Sequence, residues 1–254
     1  MRIISYNVNG IRSAVKKGFI DWLKTDPADV ICLQEIKAHK EDVPVKDIEA
    51  VGYKVYSFSA QKKGYSGVAI LSKIEPDAIN YGSGLEQSDF EGRVIRADFG
   101  DITLVNAYFP SGTSGEDRQM YKYQWLAEFF EYIQELRETR PNLIVCGDYN
   151  ICHKAIDIHN PVSNANTSGF LPEEREWMEQ FIQSGFIDTF RYFNQEPHQY
   201  SWWSYRAGSR AKNLGWRIDY NMVTKNLENQ LKRSVILPEA MHSDHCPVMV
   251  EIDF

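Results

Sequence analysis

The stretch Arg93-Val94-Ile95-Arg96-Ala97-Asp98-Phe99-Gly100-Asp101-Ile102-Thr103-Leu104-Val105-Asn106-Ala107-Tyr108 decides the architecture. It holds two strand-like runs, 93–99 and 102–108, and the Asp98-Phe99-Gly100-Asp101 junction predicts a tight hairpin between them. A short hairpin joins antiparallel neighbours, whereas parallel neighbours need a long crossover. Working outward, further strand-like runs lie at 2–8, 29–34, 53–58, 67–72, 142–146, 219–223 and 247–252. Helical periodicity is rarer. It is clearest over 116–138, where Tyr121, Trp125, Phe129, Tyr132, Ile133 and Leu136 recur at three- and four-residue steps. Two more helices are expected at 15–24 and 173–183, the latter opened by Pro172-Glu173-Glu174. Many strands with few crossover helices argue against a purely parallel doubly wound sheet. The pattern predicts an α/β fold of two mixed sheets packed face to face and flanked by helices. No repeat, low-complexity tract or Gly/Ser linker interrupts it, so residues 1–254 read as a single domain.

Composition narrows the function classes. The chain is 43% apolar and 25% charged, enough for a large core. Its net charge of −7 provides no global positive field, so any nucleic-acid role needs a local basic face. Cys32, Cys146, Cys152 and Cys246 show no short paired spacing, which argues against a disulfide framework or a zinc knuckle. No stretch approaches the roughly 20 apolar residues of a membrane span. The strand-like opening Met1-Arg2-Ile3-Ile4-Ser5-Tyr6 leaves no room for a signal peptide, and a cytoplasmic monomer is expected.

Four apolar runs end in polar groups. Ile3-Ile4-Ser5-Tyr6 leads into Asn7-Val8-Asn9-Gly10, Val30-Ile31-Cys32-Leu33 into Gln34-Glu35, and Leu143-Ile144-Val145-Cys146 into Gly147-Asp148-Tyr149-Asn150. The last strand is preceded by Ser243-Asp244-His245. Any one of these is ordinarily a turn. Together they matter, because strand ends of one scaffold converge in space. Glu35, Asp148 and Asp244 are hard oxygen donors, Asn7, Asn9 and Asn150 add amides, and no Cys/His cluster accompanies them. That set suits Mg²⁺ or Mn²⁺ rather than zinc. His245 adds a group able to donate to a phosphoryl oxygen or take a proton. Metal-assisted phosphodiester cleavage follows.

These motifs, with Gly64-Tyr65-Ser66-Gly67-Val68, Asn106-Ala107-Tyr108-Phe109-Pro110 and Gly215-Trp216-Arg217-Ile218-Asp219-Tyr220, resemble in order and spacing the exonuclease III-type abasic-site endonucleases. That family belongs to the endonuclease/exonuclease/phosphatase superfamily. The resemblance runs over essentially the whole chain. It implies the four-layered, DNase I-like α/β sandwich and Mg²⁺-dependent cleavage 5′ to abasic sites in double-stranded DNA, leaving a 3′-hydroxyl. It also implies 3′→5′ exonuclease action and clearing of blocked 3′ ends. By the same resemblance Glu35 is the principal metal ligand, and Asn7, Asp148, Asn150, Asp244 and His245 complete the metal set. Asp148 orients or deprotonates the attacking water with Asn150 holding it, Asp219 pairs with His245, and Tyr108 and Asp244 complete the catalytic group. The base is either Asp148 or His245. DNA contacts fall to Arg12, Lys17, Tyr65, Arg118, Asn160 and Asn164, and Trp202, Trp216 and Ile218 enclose the extruded sugar. Without the resemblance, Lys16-Lys17 and Lys62-Lys63 read as solvated surface charge, and Tyr200-Ser201-Trp202-Trp203-Ser204-Tyr205 as a half-buried aromatic strand.

Two departures stand out. Ser111 follows Tyr108-Phe109-Pro110 where relatives commonly carry Asn or Gln, and Arg206-Ala207-Gly208 replaces the methionines of the mammalian members. Arg206, in a loop signalled by Gly208 and Ser209, is expected to face the duplex. Two rivals remain: a sphingomyelinase-like or inositol-phosphate phosphatase on the same scaffold, and a DNA-binding module without catalysis. The first has no need of Trp202, Trp216, Asn160 or Asn164; the second predicts loss of centre residues, and all are present.

Overall fold

A computed structural model describes residues 1–25 and 28–253. The strands are β1 (Arg2–Asn7), β2 (Val30–Gln34), β3 (Lys54–Phe58), β4 (Val68–Ser72), β5 (Ala78–Tyr81), β6 (Val94–Phe99) and β7 (Ile102–Tyr108). They continue with β8 (Asn142–Asp148), β9 (Phe186–Asp188), β10 (Trp202–Trp203), β11 (Gly215–Trp216), β12 (Asp219–Thr224), β13 (Leu231–Ile236) and β14 (Val248–Ile252). One six-stranded sheet has the order β13-β14-β1-β2-β4-β3, the other β5-β6-β7-β8-β12-β9. Both are mixed: β1 runs parallel to β2 and antiparallel to β14, and β8 runs parallel to β7 and antiparallel to β12. The hairpin read from 93–108 is present as β6–β7, paired from Val94↔Ala107 to Phe99↔Ile102.

Three apolar layers follow from the alternation of side chains along these strands. Ile3, Val30, Cys32, Ile70, Leu104, Ile144, Cys146, Val223 and Val250 fill the space between the sheets. The outer face of one sheet packs on α1 (Ile11–Lys16), α2 (Phe19–Thr25) and α3 (Val45–Glu49) through Tyr6, Ile11, Phe19, Leu23 and Ile48. A short α4 (Glu86–Phe90) precedes β6. The outer face of the other sheet packs on α5 (Glu116–Thr139) and α6 (Pro172–Gln183), with a short α7 (Thr189–Phe193) beyond. In α5 the periodic residues Trp125, Phe129 and Ile133 are wholly buried, and burying each contributes about 1.5–3 kcal/mol before entropy is counted. The result is the helix–sheet–sheet–helix sandwich expected from the pattern.

One expectation is corrected. The single helix over 15–24 is two, α1 and α2, because Gly18 turns the chain at φ +93°. An L side chain resists that conformation and glycine adopts it freely. Among the described residues, no helix is long and apolar enough to cross a membrane.

Candidate active site

The polar strand ends meet because of register. Across the second sheet Tyr108, Asp148 and Asp219 are direct partners in one row, and across the first Asn7 pairs with Gln34. Asn7 bridges the sheets: its Nδ2 donates to Glu35 Oε2 at 3.0 Å and to Asp148 Oδ2 at 2.8 Å. Its Oδ1 accepts from the Asn9 backbone, so the amide nitrogen is what faces the two carboxylates. Several residues at these strand ends hold left-handed backbone that side chains rarely adopt: Asn9 (φ 43°), Glu35 (φ 53°), Lys37 (φ 49°) and Asn150 (φ 51°). Such conformations cost about 1–3 kcal/mol each and cluster at functional sites, where they aim side chains.

The cleft they border has a volume of about 400 Å³. Glu35, Tyr108, Asp148, Asn150, Asp244 and His245 line one side, and Trp202, Trp216 and Ile218 another. Asn7 lies beneath them and Asp219 behind His245, both buried. Trp202 and Trp216 are register partners of the β10–β11 hairpin, with rings 5.9 Å apart at 87°. The hairpin is tied to the polar row. Trp202 Nε1 donates to Asp244 Oδ2 at 3.0 Å, and Ser201 Oγ donates to Asp219 Oδ2 at 2.6 Å. Asp244 Oδ1 also accepts from Asn9 Nδ2 at 2.9 Å.

His245 sits between two carboxylates. Its Nδ1 is 2.9 Å from Asp219 Oδ2 and its Nε2 is 3.8 Å from Asp148 Oδ2. Burial alone lowers an imidazole pKa, but Asp219, Asp148 and Asp244 outweigh it and raise His245 to about 10. Asp148 is pushed up to about 7, chiefly by burial, against the opposing pull of His245. Its Oδ1 accepts from the Asn150 backbone N–H at 2.9 Å. Asp244 is lowered despite its burial, because His245, Asn9 and Trp202 favour the charged form. Desolvation, with Glu35 and Asp148 nearby, raises the Tyr108 phenol well above its ordinary value.

The remaining expected contacts lie around this cleft. Arg12 and Lys17 are exposed on α1 and at its end, and Lys17 Nζ approaches the Tyr205 ring to 5.7 Å. Tyr65 and Arg118 join a network: Arg118 reaches Tyr65 Oη at 3.0 Å and Glu91 at 2.9 Å, while Arg93 reaches Tyr65 Oη and the Tyr108 carbonyl. Asn160 is exposed at φ 53°, and Asn164 Nδ2 donates to the carbonyls of His159 and Asn160. Arg206 is exposed beside Ala207, another left-handed residue. Ser111 lines the cleft, its Oγ 3.0 Å from Thr113 Oγ1.

Sequence reasoning missed Lys37, whose Nζ binds Glu35 Oε1 at 2.8 Å and Asn9 Oδ1 at 2.6 Å. It also missed the wall formed by Thr167, Ser168 and Gly169. The signal for Lys37 was its place two residues after Glu35. The wall carries no signal, since Thr-Ser-Gly is ordinary loop composition.

Glu35, Asp148, Asp219 and Asp244 face only Lys37 and His245 as cationic groups within this cluster. Four carboxylates against two cations leave an excess of negative charge in a largely buried place, and a hard divalent cation would balance it. The Asp148–Asp219–His245 group has ligand atoms within 4.8 Å of one another. A cation fits better on the Glu35 side of Asp148, because both ring nitrogens of His245 are turned to carboxylates, Nδ1 to Asp219 and Nε2 to Asp148.

A model of the Endonuclease/Exonuclease/phosphatase family matches residues 4–245. The exodeoxyribonuclease of Bacillus subtilis (strain 168) is 44% identical over 255 residues, covering 100% of both chains. The DNA repair nuclease APEX1 of Danio rerio is 41% identical over 98% of this chain and 81% of its own. Among solved structures, an AP endonuclease from Archaeoglobus fulgidus superposes with a TM-score of 0.92 at 32% identity, with 100% of both chains covered. A 3′-5′ exonuclease from Neisseria meningitidis gives 0.93 at 28% identity, again over 100% of both.

Proposed function

Because the chain belongs to the endonuclease/exonuclease/phosphatase family, we propose that it is a DNA repair nuclease that hydrolyses the phosphodiester 5′ to an abasic site and leaves a 3′-hydroxyl. The same centre would act on blocked 3′ ends and as a 3′→5′ exonuclease. The substrate is double-stranded DNA, the cofactor Mg²⁺, and the active species a monomer. One observation carries the reading: Asn7 hydrogen-bonds Glu35 and Asp148, His245 stands 3.8 Å from Asp148 with Asp219 at its other nitrogen, and Glu35, Asp148 and His245 share a cleft with the Trp202–Trp216 pair. Phosphodiester chemistry alone has no need of the aromatic pair. A sugar without its base does, because the rings crowd the space a base would fill and so favour a base-less sugar over an intact nucleotide by shape.

Glu35 and Asp148 would hold the metal, with Asp244 and the Asn150 amide at its margin. When bound, Mg²⁺ supplies positive charge to the phosphoryl oxygens and lowers the pKa of water. The chain's own groups do the rest. Asp219 fixes the His245 ring through Nδ1, so Nε2–H points into the cleft and donates to a phosphoryl oxygen as charge builds there. With Nδ1 held by Asp219, His245 is the donor in this reading and Asp148, whose Oδ2 faces Nε2 at 3.8 Å, is the base. Burial raises its carboxyl in the metal-free site, the direction a base working near neutral pH needs. The Asn150 N–H and Asn7 Nδ2 hold its two oxygens in place. Tyr108, its ring backed by the Arg93 guanidinium at 5.0 Å, lines the phosphate side.

The test is a labelled duplex bearing one abasic analogue, incubated with Mg²⁺ and then with EDTA, and the cut mapped. Cleavage 5′ to the lesion, abolished by EDTA, is expected. A cut 3′ to the lesion, or one that persists in excess EDTA, would sink the proposal.

A further inference from the structure

Lys122 on α5 and Glu174 on α6 form an ion pair at 2.6 Å with neither side chain exposed to solvent. Burying both charges is costly, and apolar residues of similar volume often pack as stably. Two partners of this pair, Asn150 and Gly169, line the cleft, and Glu174 Oε1 also accepts from Gln119 Nε2 at 3.1 Å. Lys122 Nζ donates to the Asn150 carbonyl at 2.8 Å. Glu174 Oε2 accepts from the backbone N–H of Gly169 at 2.6 Å and of Leu171 at 3.0 Å. Gly169 is packed so closely that a Cβ there would lie 2.9 Å from Trp216 Cζ3 and 3.2 Å from the Asn150 carbonyl oxygen.

Asn150 is therefore gripped from both sides. Its carbonyl is held by Lys122 and its N–H holds Asp148 Oδ1, with the residue itself in left-handed backbone. The carbonyl lies in the 150–151 peptide and the N–H in the 149–150 peptide, so the two are coupled through the left-handed backbone of Asn150. Releasing the carbonyl would let the residue relax and shift the N–H from Asp148. We propose that Lys122 and Glu174 are positioning residues: Lys122 aims Asp148 through the Asn150 backbone, and Glu174 sets the wall on which Trp216 rests. Neither touches the substrate. The inference rests on the cleft being a phosphodiesterase centre.

Lys122→Met keeps the length of the side chain and removes its donor, whereas Lys122→Gln keeps an N–H that can still reach toward Asn150. Lys122→Met with Glu174→Gln removes both charges and serves where the single Met variant does not fold, since removing both partners is far milder than orphaning one. The Met-containing variants should lose about 10–100-fold in single-turnover cleavage, the scale of a small misplacement of a reacting group, with DNA affinity unchanged. Lys122→Gln should recover most of that loss at the same melting temperature. A folded Met variant or double variant cleaving at the wild-type rate overturns the proposal. So does a rate that falls together with affinity and melting temperature, or a Gln variant no better than Met. Rates are compared on whichever phosphodiester the wild type cleaves. If the wild type cleaves a generic aryl phosphodiester but not the abasic duplex, the substrate reading fails and the positioning role is still tested.

Discussion

His245 Nδ1 lies 2.9 Å from Asp219 Oδ2, with both side chains shut away from solvent. Ser201 Oγ holds the same carboxylate oxygen at 2.6 Å, so the acid cannot swing away from the ring. Asp219 thus fixes both the orientation of the imidazole and its charge. Asp219→Asn keeps the shape and removes the charge that sustains the imidazolium. Single-turnover cleavage should fall about 10²–10³-fold, the usual cost of one preorganised electrostatic group. A rate within a few-fold of wild type would remove His245 from the chemical step as drawn here.

Glu35 is the residue through which the proposed metal site is tested. Glu35→Gln should raise the Mg²⁺ concentration needed for half-maximal cleavage by at least about 10–100-fold, the scale seen when a metal site loses a supporting group. A second readout needs no turnover. Mg²⁺ should raise the melting temperature of the wild type, since a ligand that binds only the native state stabilises it, and raise that of the variant less. Equal shifts would move the metal site elsewhere.

Trp216 separates pocket from chemistry. Trp216→Ala should damage incision of abasic duplex far more than cleavage of a minimal aryl phosphodiester, because the second substrate presents no sugar to enclose. The difference should reach about 10-fold or more, roughly 1.4 kcal/mol, from loss of the apolar wall against the sugar. Equal losses on both substrates would assign the ring to folding, through its packing on Gly169.

Acid stability reports on the network behind the aromatic hairpin. Asp157 is buried, and Arg217 and Arg191 overcome that burial to lower its pKa from 3.8 to about 2. A carboxyl depressed on folding stabilises the native state at pH above its unfolded value, and that contribution is lost as pH falls from about 4 through 2. The contribution is about 2 kcal/mol from the size of the shift. Urea unfolding of wild type should lose roughly that much more than Asp157→Asn over this window. The variant itself should be weaker at neutral pH, with Arg217 left short of a buried partner. Parallel pH profiles for the two proteins would contradict the assignment.

Arg206 lies exposed in a turn on the hairpin side of the cleft, and among the described residues its guanidinium makes no ion pair. Two roles on DNA are separable by salt. If it contacts a phosphate, Arg206→Ala should lower the log–log salt slope of binding by about one. If it stacks in the gap left by the extruded nucleotide, the slope stays while dissociation of incised DNA accelerates. The chemical rate should hold in either case. Product release and affinity both equal to wild type would make it an ordinary surface residue.

Much of the fold was legible in sequence because the central strands are buried on both faces. Val68-Ala69-Ile70-Leu71-Ser72 is buried throughout, and such a run is hard to read as anything but a central strand. The hairpin at Gly100 and the helix on the Trp125 face were legible for the same local reasons. Among the edge strands β3 was read, as 53–58, but β5 was not: in Ala78-Ile79-Asn80-Tyr81 three residues are exposed and one intermediate, so no hydrophobic pattern marks them. The β10–β11 pair is two residues long on each side, too short to leave a pattern, and side-chain bonds from Ser201 and Trp202 tie it to Asp219 and Asp244.

By itself the sequence determined which groups stand at the strand ends, because the apolar runs stop where Asn7, Glu35, Asp148 and Asp244 begin or lie close by. It did not determine how they are joined or charged. Lys37 reads as surface charge until the left-handed turn after β2 folds it back on Glu35, and Lys122 meets Glu174 across 52 residues of chain. The proton on His245 depends on three carboxylates brought together by two sheets and on the water that burial removes. Those are properties of packing, since desolvation and charge proximity arise only once the layers close.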